Sequence, residues 1–597
     1  MLEQKKVTLE IAGIPMPSFV QLMLKQSINE HHYFEITLDI QAIEAYGVEI
    51  PEASKDWVGK KVIMDFGGTI FVGVATMVGL HRSGGTHGNI KVTGYSSTFL
   101  LESDHTCASW CNKSLSDIVK ELTDKAGVQA LVNPETKSKL EYECQYEETN
   151  FRFIQRLPPT KTQKSLIDLQ YQEWLYYDGQ NLVFGKPQAG STTKLTYGEE
   201  LSVLDVCSQA LARPIKGSSY HSVNDQTYNG QSPDTAAGQN TLGQAAFDSS
   251  LALFTAPAVQ RAEPRITNKG ELDAYFQRRQ QSDSAASSFI TGESDCRILT
   301  VGSIIDVHTA IHTGIGIHVK NSIGTYIITE ITHVAGMGDS YQNYFTALPS
   351  SILTLPCPDV PLPVAHTQQA VVVSNEDPKK LGRVQVKMNW QTGPMQTSWI
   401  RVLTPDAGTS DKVATNRGFV FIPEKGDQVM VAFRYDDPNR PFVLGSLFHG
   451  KSGTGGGSSN KTKSLTTRSG CTITLDDEKG SVMMKDKEGN SYTADGEGNI
   501  TISASKSITL CVGENKIMID SEGNISSNAE KDITESAGAN IAQSAENIDC
   551  TASSNYNISS TDFTATGSSS ATVSGTTKAT IDSSGTTAVA GTIVKLN

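Results

Sequence analysis

The densest set of metal-ligating side chains is His308-Thr309-Ala310-Ile311-His312-Thr313-Gly314-Ile315-Gly316-Ile317-His318, in which two imidazoles lie four apart and a third follows. A zinc hydrolase of this spacing needs a Glu directly after the first His, on a helix, to serve as base. That position holds Thr309, and the stretch reads as strand and turn, so these are expected to be barrel histidines. His105-Thr106-Cys107-Ala108-Ser109-Trp110-Cys111 offers nitrogen and sulfur together, but zinc usually needs a second ligand pair at defined spacing. Gly453-Thr454-Gly455-Gly456-Gly457 lacks the Lys-Ser/Thr ending of a phosphate loop. Asp436-Asp437 could be drawn as a carboxylate pair, yet beside Pro438 it reads as a polar turn. With no Ser or Cys nucleophile motif, the expectation is no enzyme, no catalytic residue, no metal and no cofactor.

The function must then come from the elements that hold these residues. The chain has 597 residues, room for about four domains. Its net charge of -14 opposes nucleic acid and anionic membranes. The start, MLEQKKVTLEIAGIPMP, shows no signal peptide, and no run is long enough for stable membrane insertion. Nine scattered cysteines suit a reducing cytoplasm.

The composition and patterning predict a mainly β, multidomain protein. Residues 1–350 read as two β-barrels with bridging helices. The alternation at 33–40 and the runs 61–66 and 69–79 are strands; 115–122 has helical periodicity ending at Gly127; 150–157 is a second short helix; and 174–184 is a hairpin turning on Asp178-Gly179. Residues 224–244 are expected to be an exposed connection, 270–289 helix-prone, and strands to resume at 299–308, 315–319, 326–333 and 341–347. Residues 351–369 form a Pro-rich linker. Short strands at 370–374, 383–390, 398–403, 418–422, 428–435 and 442–447 suit an OB-fold barrel over 370–450. Residues 451–515 read as a Gly/Ser linker and the start of a repeat region.

From 516 to 597 an apolar residue returns about every eight positions among Ser, Thr, Gly and Asn: Ile517, Ile525, Ile533, Ile541, Ala565, Val573, Ile581 and Val589. Asp549 and Asn557 fill the rungs between, each beside an Ile. A fixed period marks stacked repeats. Ordering eight residues costs on the order of 8–16 kcal/mol of backbone entropy, whereas burying one Ile returns about 1.5–3 kcal/mol. A single chain cannot support such a ladder, so the expectation is a trimeric, intertwined β-helix, or β-prism, with these rungs as its core.

Two sets of residues resemble a known family. One is Asn375-Glu376-Asp377-Pro378-Lys379-Lys380-Leu381-Gly382-Arg383-Val384, Trp399-Ile400-Arg401, Pro423-Glu424-Lys425-Gly426-Asp427, Asp437-Pro438-Asn439-Arg440-Pro441 and Gly445-Ser446-Leu447, similar to the OB domain of the VgrG (valine-glycine repeat) spike family of type VI secretion. The other, Thr149-Asn150-Phe151-Arg152-Phe153-Ile154-Gln155-Arg156-Leu157 with Tyr177-Asp178-Gly179, is similar to the hub part of that family and of contractile-phage tail hubs. The resemblance implies a homotrimer seated on the Hcp tube hexamer, held by baseplate proteins, with a PAAR-repeat tip protein and effectors at the far end. It also implies assembly in the cytoplasm followed by ejection across a target envelope. Ile593, Val594 and Leu596, beyond the last rung, are the expected tip contacts; no appended domain is expected after Asn597. The alternatives from other classes are a hydrolase displayed on a trimeric stalk and a phage-like tail-fibre adhesin.

Overall fold

The computed structural model describes residues 6–41, 55–82, 88–157, 160–161, 167–168, 173–187, 191–261, 266–313, 317–358 and 360–596. The chain divides into two units, 1–453 and 454–597.

In the first unit, alternating sequence becomes alternating burial. Tyr33–Asp39 turns Phe34, Ile36 and Leu38 inward, and Lys61–Asp65 does the same with Val62 and Met64. These strands belong to a curved antiparallel array in the order Ile14–Pro15, Thr8–Ile11, Lys61–Asp65, Ile70–His81, Asn89–Ser96, Tyr33–Asp39, Gln21–Ser27. Gly94 permits its tightest approach, since a Cβ there would lie 2.1 Å from the Val74 carbonyl oxygen and 2.5 Å from the Phe34 ring. The second barrel closes on itself through Ile317–Gly336, Ile304–Thr313, Thr193–Tyr197, Leu201–Ser208, Ser288–Ser294 and Tyr341–Pro349, the last pairing back to the first.

The two barrels are joined directly by a strand, and the helices Leu115–Ala126 and Asn150–Arg156 lie in the stretch of chain between them. Ile317–Gly336 runs through the second barrel and then pairs antiparallel with Gln21–Ser27 of the first, from Glu330↔Ser27 to Gly336↔Gln21. The sequence reading cut this strand in two because Asn321, Ser322 and Gly324 interrupt its apolar pattern. In the structure the interruption is a bulge, with a register shift opposite Val307/His308 and Gly324 at φ +131°.

Helix α1, Leu115–Ala126, has a capping box between Ser114 and Asp117 and ends at Gly127 in the left-handed conformation. Helix α2, Asn150–Arg156, is capped by Thr149. Both pack Ile118, Val119, Leu122, Phe151, Phe153 and Ile154 into a core shared with the hairpin Leu175–Tyr177/Leu182–Phe184. That hairpin turns where expected, Asp178 Oδ1 accepting from the Gln180 and Asn181 amides at 2.8 and 2.7 Å. The expected connection at 224–244 is partly regular: Gln226–Gln231 pairs with Ile215–His221, and helix α3, Thr241–Leu253, starts at an Asn240 cap. Its polar side chains masked a strand lying on the surface and a cap inside what reads as loop. Helix α4, Lys269–Ser284, follows. The Pro-rich stretch is anchored, with Cys357, Val360 and Ala365 buried.

Residues 368–447 form a small barrel around Val372, Val386, Met388, Val429, Val431 and Val443. Its sheet runs Gln385–Met388, Gln368–Ser374, Gln428–Phe433, Pro441–Leu447. The expected strand at 398–403 contributes only single bridges, Val384↔Ile400 and Val402↔Val443, and that at 418–422 only the short ladder Ala407–Gly408/Arg417–Gly418.

The second unit begins with a five-stranded antiparallel meander, Thr462–Thr466 to Ile500–Ser503, followed by a three-stranded one, Ser507–Val512, Asn515–Asp520, Ile525–Asn528. From 529 to 596 there is neither helix nor strand within the chain. Among the described residues no helix is long and apolar enough to cross a membrane.

Candidate functional site: two buried polar joints and an unburied tail

The strand pairing that joins the barrels brings together polar groups far apart in sequence. Gln26, His32, His333 and Asn343 are all buried there. His32 Nε2 donates to the Ser27 carbonyl at 3.2 Å, so its Nδ1 accepts from Gln26 Nε2 at 3.1 Å. Gln26 Oε1 accepts from His333 Nε2 at 3.0 Å and from the Thr300 hydroxyl at 3.1 Å. His333 Nδ1 then accepts from the Tyr341 hydroxyl at 2.6 Å, and the Tyr341 oxygen accepts from Asn343 Nδ2 at 3.2 Å. These partners fix both imidazoles as neutral Nε2–H tautomers. Burial is the dominant cause lowering both to about 3 and also raises the Tyr341 phenol. Nothing in the sequence marked this relay.

A second joint locks α2 onto the small barrel. Arg156, on α2's last turn, donates through Nε to both Glu148 carboxylate oxygens at 2.9 and 3.0 Å and lies 3.4 Å from Glu143. All three side chains are nearly fully buried. Burial pushes the Glu148 carboxyl up, with the Arg156 charge pulling the other way. Glu143 also accepts from Asn439 Nδ2 at 3.0 Å, and Asn439 Oδ1 accepts from the Cys144 amide at 2.8 Å. Gln391 Nε2 donates to Ser109 Oγ at 2.8 Å, and the Cys111 thiol to the Gln396 carbonyl at 3.2 Å. Tyr142, Cys144 and Tyr146 pack into the small barrel's own core. The two motif sets that carry the resemblance therefore meet, though Arg156 and Asn439 lie far apart in the chain.

The remaining motif residues shape the small barrel. Asp377 takes a two-pronged ion pair from Arg383 at 2.7 and 2.9 Å and amide bonds from Lys379 and Leu381. Chiefly the Arg383 hydrogen bonds hold its carboxyl well below the usual carboxylate range. Gly382 and Gly426 take positive φ, Val384 is buried, Pro423 accepts from Asn375, and Asp427 caps the Glu424 amide. Pro438 and Pro441 are buried beside the Asp437 turn, Pro378 is exposed, and Gly445 pairs with Met430. Trp399 and Arg401 line a cleft of about 500 Å³ against Tyr220 and His221.

Of the candidate ligands, His308, Cys107 and Cys111 are otherwise engaged. His308 Nε2 lies 2.8 Å from Asp306, while the side chains of His312 and His318 lie outside the described residues. Cys107 Sγ accepts from the Glu147 amide, and burial raises its thiol. Among the described residues no group of three His, Cys, Asp or Glu side chains is placed to hold a metal ion.

The second unit has the opposite character: none of its described residues is buried. Its strands are nevertheless sided, apart from Lys463 opposite Leu475 and Met483 on the polar face. Cross-strand register aligns Leu465, Ile473, Met484, Tyr492 and Ile502 in one row, and Leu475, Val482, Ala494 and Ile500 in a second row on the same face. Ser464, Thr474, Met483, Thr493 and Thr501 form the other face. Turns at Asp486, Asp495 and Asp520 repeat one pattern, Asp-x-Glu-Gly-Asn. In each, Asp Oδ1 accepts the amides two and four residues on, and the Asn amide returns to Oδ2. The octad frame overlooked this signal.

One such turn changes the expected ladder. It reverses the chain between Ile517 and Ile525, which sit in adjacent antiparallel strands, with Ile519 opposite Ile525. Ile533, Ile541, Val573, Ile581 and Val589 are all more than half exposed, as are Ile593 and Leu596, with Val594 nearly so.

A family model described as the type VI secretion system/phage-baseplate injector OB domain matches residues 368–448, and one described as the phage tail baseplate hub (GPD) matches 34–159. The type VI secretion system spike protein VgrG1a of Pseudomonas aeruginosa is 23% identical over 402 residues, 61% of this chain and 58% of its own. VgrG5 of the same organism is 32% identical over 126 residues, 19% of this chain and 15% of its own. A chain of the half-lidded Francisella PdpA-VgrG complex superposes with a TM-score of 0.51 at 10% identity, covering 84% of this chain and 88% of that one, and so shares its fold. The chain spans less than two thirds of the length of the curated relatives it matches. The chain is thus similar to VgrG spike proteins, and the matched segments contain the small-barrel motif and Thr149–Leu157.

Proposed function

We propose that this chain is a structural spike of a type VI secretion, or related contractile injection, apparatus. In this reading it acts mechanically and not as an enzyme. It is a homotrimer whose barrels seat on the Hcp tube within the baseplate, and whose tail points toward the target envelope. A PAAR-repeat protein and effectors ride at the tip, on Ile593, Val594 and Leu596. It assembles in the cytoplasm and leaves by ejection.

The observation that carries this is the tail: ordered, sided strands that bury nothing in their own chain. Ordering each residue costs about 1–2 kcal/mol, and the described tail residues offer no buried apolar side chain to offset it. Covering the two apolar rows with the same rows of other copies supplies that missing core. Beyond 528, the rungs from Ile533 to Val589 would line a β-helix needle built by three chains, each giving one strand per side. Such a shaft resists bending because bending must break many interchain ladder hydrogen bonds together. The two buried joints of the first unit support the same reading, since thrust from a tube must pass through the barrels without parting them.

The test is the native mass of the intact particle, with three chains expected. Ile473→Asp, on the apolar face, should shift it toward monomer, whereas Thr474→Asp, one residue on and facing away, should not. A monomeric wild-type protein removes the proposal.

A further inference from the structure

The small barrel carries an arm that its own chain does not cover. Residues 411–421 are exposed without interruption, and Leu403, Phe419, Val420 and Phe421 are each more than half exposed. The Phe419 and Phe421 rings lie 6.5 Å apart, and Val420 between them in sequence is exposed as well. Three consecutive apolar side chains of this segment are therefore wet.

The arm is nonetheless built to hold its shape. The Phe419 amide donates to the Asp406 carbonyl at 2.9 Å, Thr404 Oγ1 to the Phe419 carbonyl at 2.8 Å, and Arg417 to Asp406 Oδ2 at 2.9 Å and to the Thr409 carbonyl at 3.1 Å. Gly418 sits at φ +114°, where a Cβ would lie 2.1 Å from the Asp406 oxygen. Preorganisation of this kind lowers the entropy lost on docking. Asp406, Asp411, Lys412 and Arg417 also cancel in formal charge, so the arm is neutral on a chain of net charge -14.

We propose that residues 405–421 form a clasp that docks on the small barrel of a second copy of this chain through Phe419, Val420 and Phe421. This rests on the multi-copy reading of the tail. The same barrel exposes further apolar side chains at Leu403, whose amide bonds the Val443 carbonyl, at Leu444 on strand Pro441–Leu447, and at Phe448, six positions before the unburied unit begins. Copies gathered by their tails hold their barrels at the high effective concentration of a short tether. An unrelated partner would have to compete with that neighbour.

The experiment uses the full chain with a benzophenone amino acid at Val420. The expected result is a photo-crosslink between two copies, mapping to 368–448 of the second. In parallel, Phe419→Ser/Phe421→Ser should raise the rate of subunit exchange between isotope-labelled and unlabelled particles at least tenfold, while Thr409→Ser leaves it unchanged. Crosslinks confined to one chain, or an unchanged exchange rate, in a particle that still weighs several chains would overturn the clasp and leave the tail reading intact. A wild-type mass of one chain would remove both.

Discussion

Protonating the relay between the barrels should open the seam, and the size of the effect follows from its burial. His32 and His333 are held neutral down to about pH 3, against an ordinary value of 6.5. A lowered folded-state value for a base means that the opened form takes up protons first, so stability is full above 6.5 and is lost as pH falls toward 3. Between pH 7.5 and pH 5 each imidazole withdraws about 2 kcal/mol, or about 4 kcal/mol for the pair. His31, Tyr177 and Tyr341 also face these rings, but the phenols do not titrate in this window. The assay is hydrogen exchange of amides in Gln21–Ser27 and in 330–336, the paired segments, corrected for intrinsic rate. His333→Gln keeps a donor toward Gln26 and should weaken the seam at pH 7.5, yet lose only about half as much protection on acidification. The carboxylates are common to both proteins, so the difference isolates His333. Equal losses in the two proteins would refute the buried-neutral assignment.

Three further outcomes are expected. Asn439→Ala leaves Glu143 and the Cys144 amide short of a partner and should cost about 1–3 kcal/mol, seen as faster proteolysis between α2 and the small barrel. Arg383→Met strands the Asp377 carboxylate, whose side chain is 2% exposed, at a cost of about 3–5 kcal/mol in the barrel's unfolding midpoint. Because the Asp377 carboxyl is held low, its contribution is present at neutral pH and disappears as acid protonates it, so this variant should differ less from wild type in acid. Ile533→Asp should lower the melting temperature of the assembled tail, and Ser554→Asp should not; equal melting argues against the inward rung assignment.

What could be read from the sequence was local. Helix α1 announces itself through Ser114, Asp117 and Gly127, and the hairpin at Asp178-Gly179 through its turn chemistry, because caps and turns are fixed by neighbouring residues. The apolar frame of the tail was equally plain. What remained hidden depends on pairing across distance. Closure of the second barrel, the union of Gln21–Ser27 with a strand three hundred positions away, and the bond from Asn439 to Glu143 leave no periodic trace. Gln26 and His333 look like ordinary surface polar residues until the strand register places them together. The octad frame, once found, also drew attention from Asp-x-Glu-Gly-Asn, which decides where the chain folds back.

The two units solve the problem of burial in opposite ways, and this bears on how a spike could be made without aggregating. The first unit closes its second barrel and buries its cores within one chain, so it can fold before meeting a partner. The tail exposes apolar faces that would be a hazard in any lone chain. Its strands are short, its turns are acidic, and Ser and Thr separate its rungs, all of which weaken mispairing until a matching copy is present. Register in such a tail has little local support, because bends replace ladders beyond 528. A folded, self-sufficient base that first aligns the copies would supply that register, and the arm at 405–421 lies close enough in sequence to the tail to set it.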